Sequence, residues 1–136
     1  MIHMNVMIRV MRVQAERFVE PEDPLPGNVE ISVNMNLGKI ESTDERAKGK
    51  FVFDVSYRPS IARITVEGRL IVTGSKGEIK NFLEETKGGK MPQPIFQSVF
   101  SAGLSEVIIL SRSIGVPPPL PPPSPKRDSS TMEYSL

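Results

Sequence analysis

From Val29 to Leu37 every second residue is apolar: Val29, Ile31, Val33, Met35 and Leu37 alternate with Glu30, Ser32, Asn34 and Asn36. A period of two sends alternate side chains to opposite faces, so this segment fits a strand with one face buried and the other wet. The same period recurs at about Lys50–Tyr57, with Phe51, Phe53, Val55 and Tyr57 on one face. It recurs again at about Ala62–Thr73, where Ala62, Ile64, Val66, Leu70 and Val72 face in and Arg63, Thr65, Glu67 and Arg69 face out. Arg58-Pro59-Ser60 between these two is the expected hairpin turn, because proline suits a turn and cannot serve inside a ladder. One polar face on every strand predicts an antiparallel sheet covered on one side only.

An earlier strand is predicted over residues 5–20. Its apolar face starts on Val6, Ile8 and Val10 and then switches to Met11, Val13 and Ala15. A one-residue switch marks a β-bulge, or a strand covered on both faces. The polar stretch Glu41–Gly49 reads as a solvated loop.

After Thr73 the period changes. Ser75 and Glu78 have capping-box spacing, Ile79, Phe82 and Leu83 follow at helical spacing, and Gly88-Gly89 stops the helix. A second, long helix is predicted from Pro94, a favoured first-turn residue, to about Ile114, ending at Gly115. Its polar residues Gln97, Ser98, Ser101, Ser105 and Arg112 share one arc, which leaves most of the circumference apolar. One sheet cannot cover that much surface, so the helix is expected to pack in a homo-oligomer as well. Residues Pro117–Pro125 contain seven prolines and favour polyproline II, and the polar tail beyond them lacks periodicity and is expected to be disordered.

The fold class that follows is α+β: a four-stranded antiparallel sheet with a short helix and a long C-terminal helix on one face. A chain of 136 residues has room for one such core. The absence of Cys removes disulfides and thiolate chemistry. A formal charge of +1 does not mark a polyanion binder. Arg9 and Arg12 interrupt the N-terminal apolar residues before a signal peptide can form, and the longest strictly apolar run near the C-terminus is Val107–Leu110. No membrane insertion is expected, and the expected compartment is the cytoplasm.

Chemistry-bearing constellations are sparse. His3 is the sole histidine and sits at the terminus, so it anchors neither a triad nor a metal site. Glu84-Glu85 and Asp44-Glu45 are neighbours that read as solvated surface charge. Thr73-Gly74-Ser75-Lys76-Gly77 enters a helix but lacks phosphate-loop spacing. Arg9, Arg12, Arg17, Arg63 and Arg69 could form a basic sheet face for RNA, but Glu16, Glu30 and Glu67 lie on the same strands, so a mixed solvated face is favoured. No catalytic residue, metal site or cofactor is expected, and the chain does not read as an enzyme.

The order of elements, together with Pro92-Gln93-Pro94-Ile95-Phe96, Ser105-Glu106-Val107-Ile108-Ile109-Leu110-Ser111-Arg112-Ser113-Ile114-Gly115 and Pro117, resembles the SecB family of export chaperones and SecB-like proteins outside classical export. The resemblance covers residues 5–122 in element order and 92–119 in residue detail. It implies a SecB-like domain over residues 1–122, followed by a tail over 123–136. It also implies assembly into a dimer or tetramer. It further implies ATP-independent holding of unfolded or exported polypeptides in an apolar groove between sheet and helix.

Two departures stand out: proline-rich sequence replaces the family's C-terminal helix, and acidic and basic residues are mixed where export chaperones present an acidic surface to their motor. On this resemblance, Phe51, Phe53, Tyr57, Phe96 and Phe100 are the expected groove residues, and Val107, Ile108 and Leu110 the expected oligomer interface. The alternatives are a dedicated subunit for one protein partner, of toxin–antitoxin type, and, further off, a single-stranded nucleic-acid binder.

Overall fold

The computed structural model describes residues 4–89 and 91–119, and the backbone of 131–135. His3 and the prolines after Pro119 lie outside the described residues. The strands are β1 (Asn5–Arg17), β2 (Glu30–Leu37), the two-residue β3 (Glu41–Ser42), β4 (Arg46–Arg58) and β5 (Ala62–Thr73). Helices α1 (Lys76–Lys87) and α2 (Gln93–Ser113) follow, and β6 (Thr131–Ser135) closes the order. The sheet is ordered β1-β5-β4-β2-β6, with β3 beside β4, and every pairing is antiparallel.

The alternating residues of β2, β4 and β5 form the core. Ile31, Val33, Phe51, Phe53, Val55, Ile64 and Val66 are fully buried, and α1 and α2 pack over them. The face switch in β1 is a bulge: Val10 pairs with Gly68 and Arg12 with Glu67, which leaves Met11 as the extra residue. On the open face, ion pairs join Arg12 and Lys50 to Glu67, Arg63 to Asp54, and Arg58 to Glu30. The hydrogen bond from Arg12 holds the Glu67 carboxyl below the usual range, against a smaller opposing effect of desolvation. Arg12, Arg58 and Arg63 of this face are thus partnered by carboxylates, while Arg9 and Arg69 donate to the backbone carbonyls of Ile8 and Gly68.

Helix α1 starts on the expected capping box. Ser75 Oγ accepts from the Glu78 amide at 3.2 Å, and Glu78 Oε1 accepts from the Ser75 amide at 2.8 Å. Two amides of the helix N-terminus are therefore satisfied by its own capping box. Helix α2 begins around Pro92–Pro94 and ends at Gly115, whose φ of 70° suits glycine. By length and hydropathy α2 could cross a membrane. Its apolarity has a local use here, since Ile95, Val99, Gly103 and Val107 are buried.

Two differences from the sequence reading concern strand count. The segment Glu41–Gly49 is not wholly loop: it contains β3 and the start of β4, where Ala47 and Gly49 are buried. Within the tail expected to be disordered, Thr131–Ser135 pairs with Asn34–Glu30 of β2. The outer edge of β2 would otherwise present open backbone N–H and C=O groups, and any extended segment can satisfy them whatever its periodicity.

The end of the helical layer is tied down twice. Arg17 Nη1 donates to the carbonyls of Ile114 (3.1 Å) and Gly115 (2.9 Å), and its Nε donates to that of Val19 (2.7 Å). A cation at the last carbonyls of a helix complements its dipole. Tyr57 Oη donates to the Pro117 carbonyl at 2.6 Å, and burial pushes its phenol pKa up.

Candidate functional groove

Residues Met35–Ile40, at the end of β2 and in the turn after it, line one side of a groove of about 760 Å³. Met35, Leu37 and Ile40 form its sheet wall. Leu83 of α1, Met91 of the connection and Phe96 of α2 form its helical wall. Asn36, Thr86 and Gln93 add polar edges, and Lys39 and Lys87 are its charged residues. Apolar side chains thus share the lining with polar ones and two lysines. Methionines at two lining positions give it an adaptable surface, because the unbranched thioether repacks easily.

The aromatic residues expected in a groove divide by depth. Phe51, Phe53 and Tyr57 are 0–1% exposed and fill the core beneath the helices, so they do not line the groove. All three stand on the inner face of β4, in the middle of the sheet, where both neighbouring strands and the helices cover them. Phe96 lines the groove. Phe100 connects the two regions: its ring meets Phe53 edge-on at 5.3 Å and stacks with Phe96 at 6.0 Å. A row of three rings therefore runs from the core to the groove wall, and it fixes the position of Phe96. Sequence reasoning did not single out Met35, Leu37, Ile40, Leu83 or Met91. Met35 and Leu37 share the apolar face of β2 with Ile31 and Val33; Met35 belongs to the buried core as well as lining the groove, while Leu37 is half-buried.

The expected interface residues divide similarly. Val107 is fully buried within the single chain, while Ile108 and Leu110 are half-buried. Ile109, not anticipated, is the exposed one at 60%. On β1, Met11 and Val13 are also exposed, and Val13 pairs with the buried Val66 and so lies on the helix-bearing face.

Among the described residues no cluster of His, Cys, Asp or Glu could hold a metal ion. Among the described residues, the charged residues that line the groove are both lysines.

No protein-family model matches the chain, and no curated protein matches it. Among solved structures it is similar to the SecB-like chaperone Rv1957 of Mycobacterium tuberculosis, determined in complex with a ChAD peptide from the Rv1956 HigA1 antitoxin. The TM-score is 0.62 at 10% sequence identity, over 91% of this chain and 92% of that one. At that identity the likeness is one of fold: the chain has the α+β architecture of a SecB-like chaperone, with antiparallel sheet and two helices.

Proposed function

We propose that this chain is a SecB-like binding subunit that holds extended, apolar segments of non-native polypeptides, exported proteins among them, in the groove between β2 and the helices, without ATP and without catalysis. The observation that carries this reading is the groove itself, whose lining brings Met35, Leu37, Ile40, Leu83, Met91 and Phe96 together beside Lys39 and Lys87. Burial of apolar side chains there supplies affinity at roughly 25 cal/mol per Å² and tolerates many sequences. The two lysines favour clients with acidic residues flanking the apolar segment.

A stoichiometric excess of the protein is expected to suppress aggregation of a chemically unfolded model protein in the absence of nucleotide. Phe96→Ser is expected to weaken that suppression, by about 1–3 kcal/mol of binding free energy for a well-buried anchor, while leaving the circular dichroism spectrum unchanged. Wild-type protein that protects no client at excess would end the holding reading.

In that event the second reading takes its place: a dedicated subunit for one protein partner. The similar Rv1957 structure, determined in complex with a peptide from the HigA1 antitoxin, favours it. A partner of that kind would co-purify at fixed stoichiometry.

We further propose that the chain works in the cytoplasm as a homo-oligomer, a dimer or tetramer, assembled through α2 and the neighbouring β1. Supporting this are the exposed Ile109, Met11 and Val13 and the half-buried Ile108 and Leu110. Light scattering is expected to give a mass that is a multiple of 15.1 kDa. Ile109→Asp is expected to shift it toward one protomer, because a desolvated, unpaired carboxylate is costly at an interface. A wild-type mass of one protomer at micromolar concentration would refute the assembly.

A further inference from the structure

Among the described residues, strand β6 pairs with part of its partner's edge. It pairs with Glu30–Asn34, whereas β2 continues to Leu37. Among the described residues no strand lies beside Met35, Asn36 and Leu37 on that edge. These same three residues open the wall of the groove. This stretch of the β2 edge and the groove wall thus share the same residues.

Direction and register sharpen the point. The pairing is antiparallel, with Thr131 opposite Asn34 and Ser135 opposite Glu30, so the N-terminal end of β6 is the end nearest the groove. Met132 and Tyr134 stand at the register positions of Val33 and Ile31. A strand that continued this register in the N-terminal direction would set its next two like-facing positions opposite Met35 and Leu37. The chain's own sequence before Thr131 is Lys126-Arg127-Asp128-Ser129-Ser130, with no apolar residue to place there.

We propose that the outer edge of β2 is a docking rail for an extended partner strand, that the strand's N-terminal half fills the groove with alternate apolar side chains, and that β6 is the chain's own weaker occupant of that rail. The inference rests on the groove-binding reading above. It adds the main-chain contact and the polarity of the bound segment, and it makes release of β6 part of binding. Backbone pairing gives affinity that is indifferent to sequence, and the groove then selects for apolar residues at alternate positions. Because β6 is tethered, it competes at a high effective concentration, so only a strand that also fills the groove displaces it.

Two fluorescein-labelled peptides test this. One has the sequence of residues 126–136. The other is identical except that leucine replaces Asp128 and Ser130, the two positions that would face Leu37 and Met35. The leucine-bearing peptide is expected to bind the full chain at least tenfold more tightly than the native-sequence peptide. Hydrogen exchange on the unaltered chain should then show the amides of Thr131–Ser135 losing protection as that peptide saturates, while those of Ile31–Asn34 stay protected. Met132→Pro with Tyr134→Pro, which removes two ladder donors from β6, should raise the affinity of both peptides tenfold or more.

Equal binding of the two peptides to the unaltered chain, or binding without loss of β6 protection, overturns the proposal. So does unchanged affinity in the proline variant. Suppression of client aggregation together with failed peptide binding would sink the rail and leave the groove reading standing. Peptide binding with β6 release but no suppression would do the reverse.

Discussion

Phe53→Ala is expected to lower the unfolding free energy by about 3–5 kcal/mol, the range for deleting a buried aromatic ring. The size follows from what surrounds the ring. Phe53 is fully buried on the central strand β4, flanked by Met35 of β2 and Val66 of β5. Above it lies α2, so close that a Cβ built on Gly103 would stand 2.5 Å from the Phe53 ring. Phe100 touches the ring edge-on from the same helix. The sheet cannot collapse into the space left behind without breaking its ladder, and the helix can descend only by moving Gly103 and Phe100 together. A cavity therefore persists, and Phe96 loses the ring row that positions it. Against a typical total of about 5–15 kcal/mol, the loss is a large share. Urea unfolding with an unchanged slope is the measurement. A loss below about 1 kcal/mol would mean that Phe53 faces a yielding cavity and belongs to the groove after all.

Gly68→Ala is expected to cost about 3 kcal/mol, the upper end of the usual range for overpacking. The new Cβ would lie 2.3 Å from the Arg9 carbonyl oxygen and 2.7 Å from two ring atoms of Phe51. Neither neighbour can yield. The carbonyl belongs to β1 at the position just before its bulge, and Phe51 is fully buried. Relief requires prising β1 from β5 or tilting Phe51 into the core. Gly77→Ala is the control: nothing lies within 4 Å of its new methyl group, and it sits in the first turn of α1. That change is expected to be neutral or stabilising by up to about 1 kcal/mol, the helix preference of alanine over glycine. Parallel thermal melts of the two variants measure the contrast. Equal stability would show that the β1–β5 pair is loose at the bulge.

Features carried by local periodicity were legible in the sequence. The alternation of β2, β4 and β5 gave strands and faces, the switch from Val10 to Met11 gave the bulge, and Ser75 with Glu78 gave the start of α1. Depth was not legible. Phe51, Phe53 and Phe96 are alike as apolar residues on inward faces, and only their place in the packed layers makes two of them core and one a wall. Met35 and Leu37 were hidden for the same reason, since a strand's sequence does not reveal which of its inward residues also line a groove. The pairing of β6 was hidden for a different one: a sheet edge asks only for extended backbone, so the joining segment needs no pattern of its own.

The double tether at the end of α2 has an evolutionary consequence. Arg17 and Tyr57 hold the carbonyls of Ile114, Gly115 and Pro117 with groups from two other strands, so the position of the helical layer is settled before the chain reaches Pro119. Among the described residues, the groups that hold these carbonyls all precede them in the chain. Body and tail are therefore free to diverge at different rates. A lineage can change what competes for the β2 edge, or how strongly, by rewriting a few residues near the C-terminus, without re-evolving the groove those residues guard.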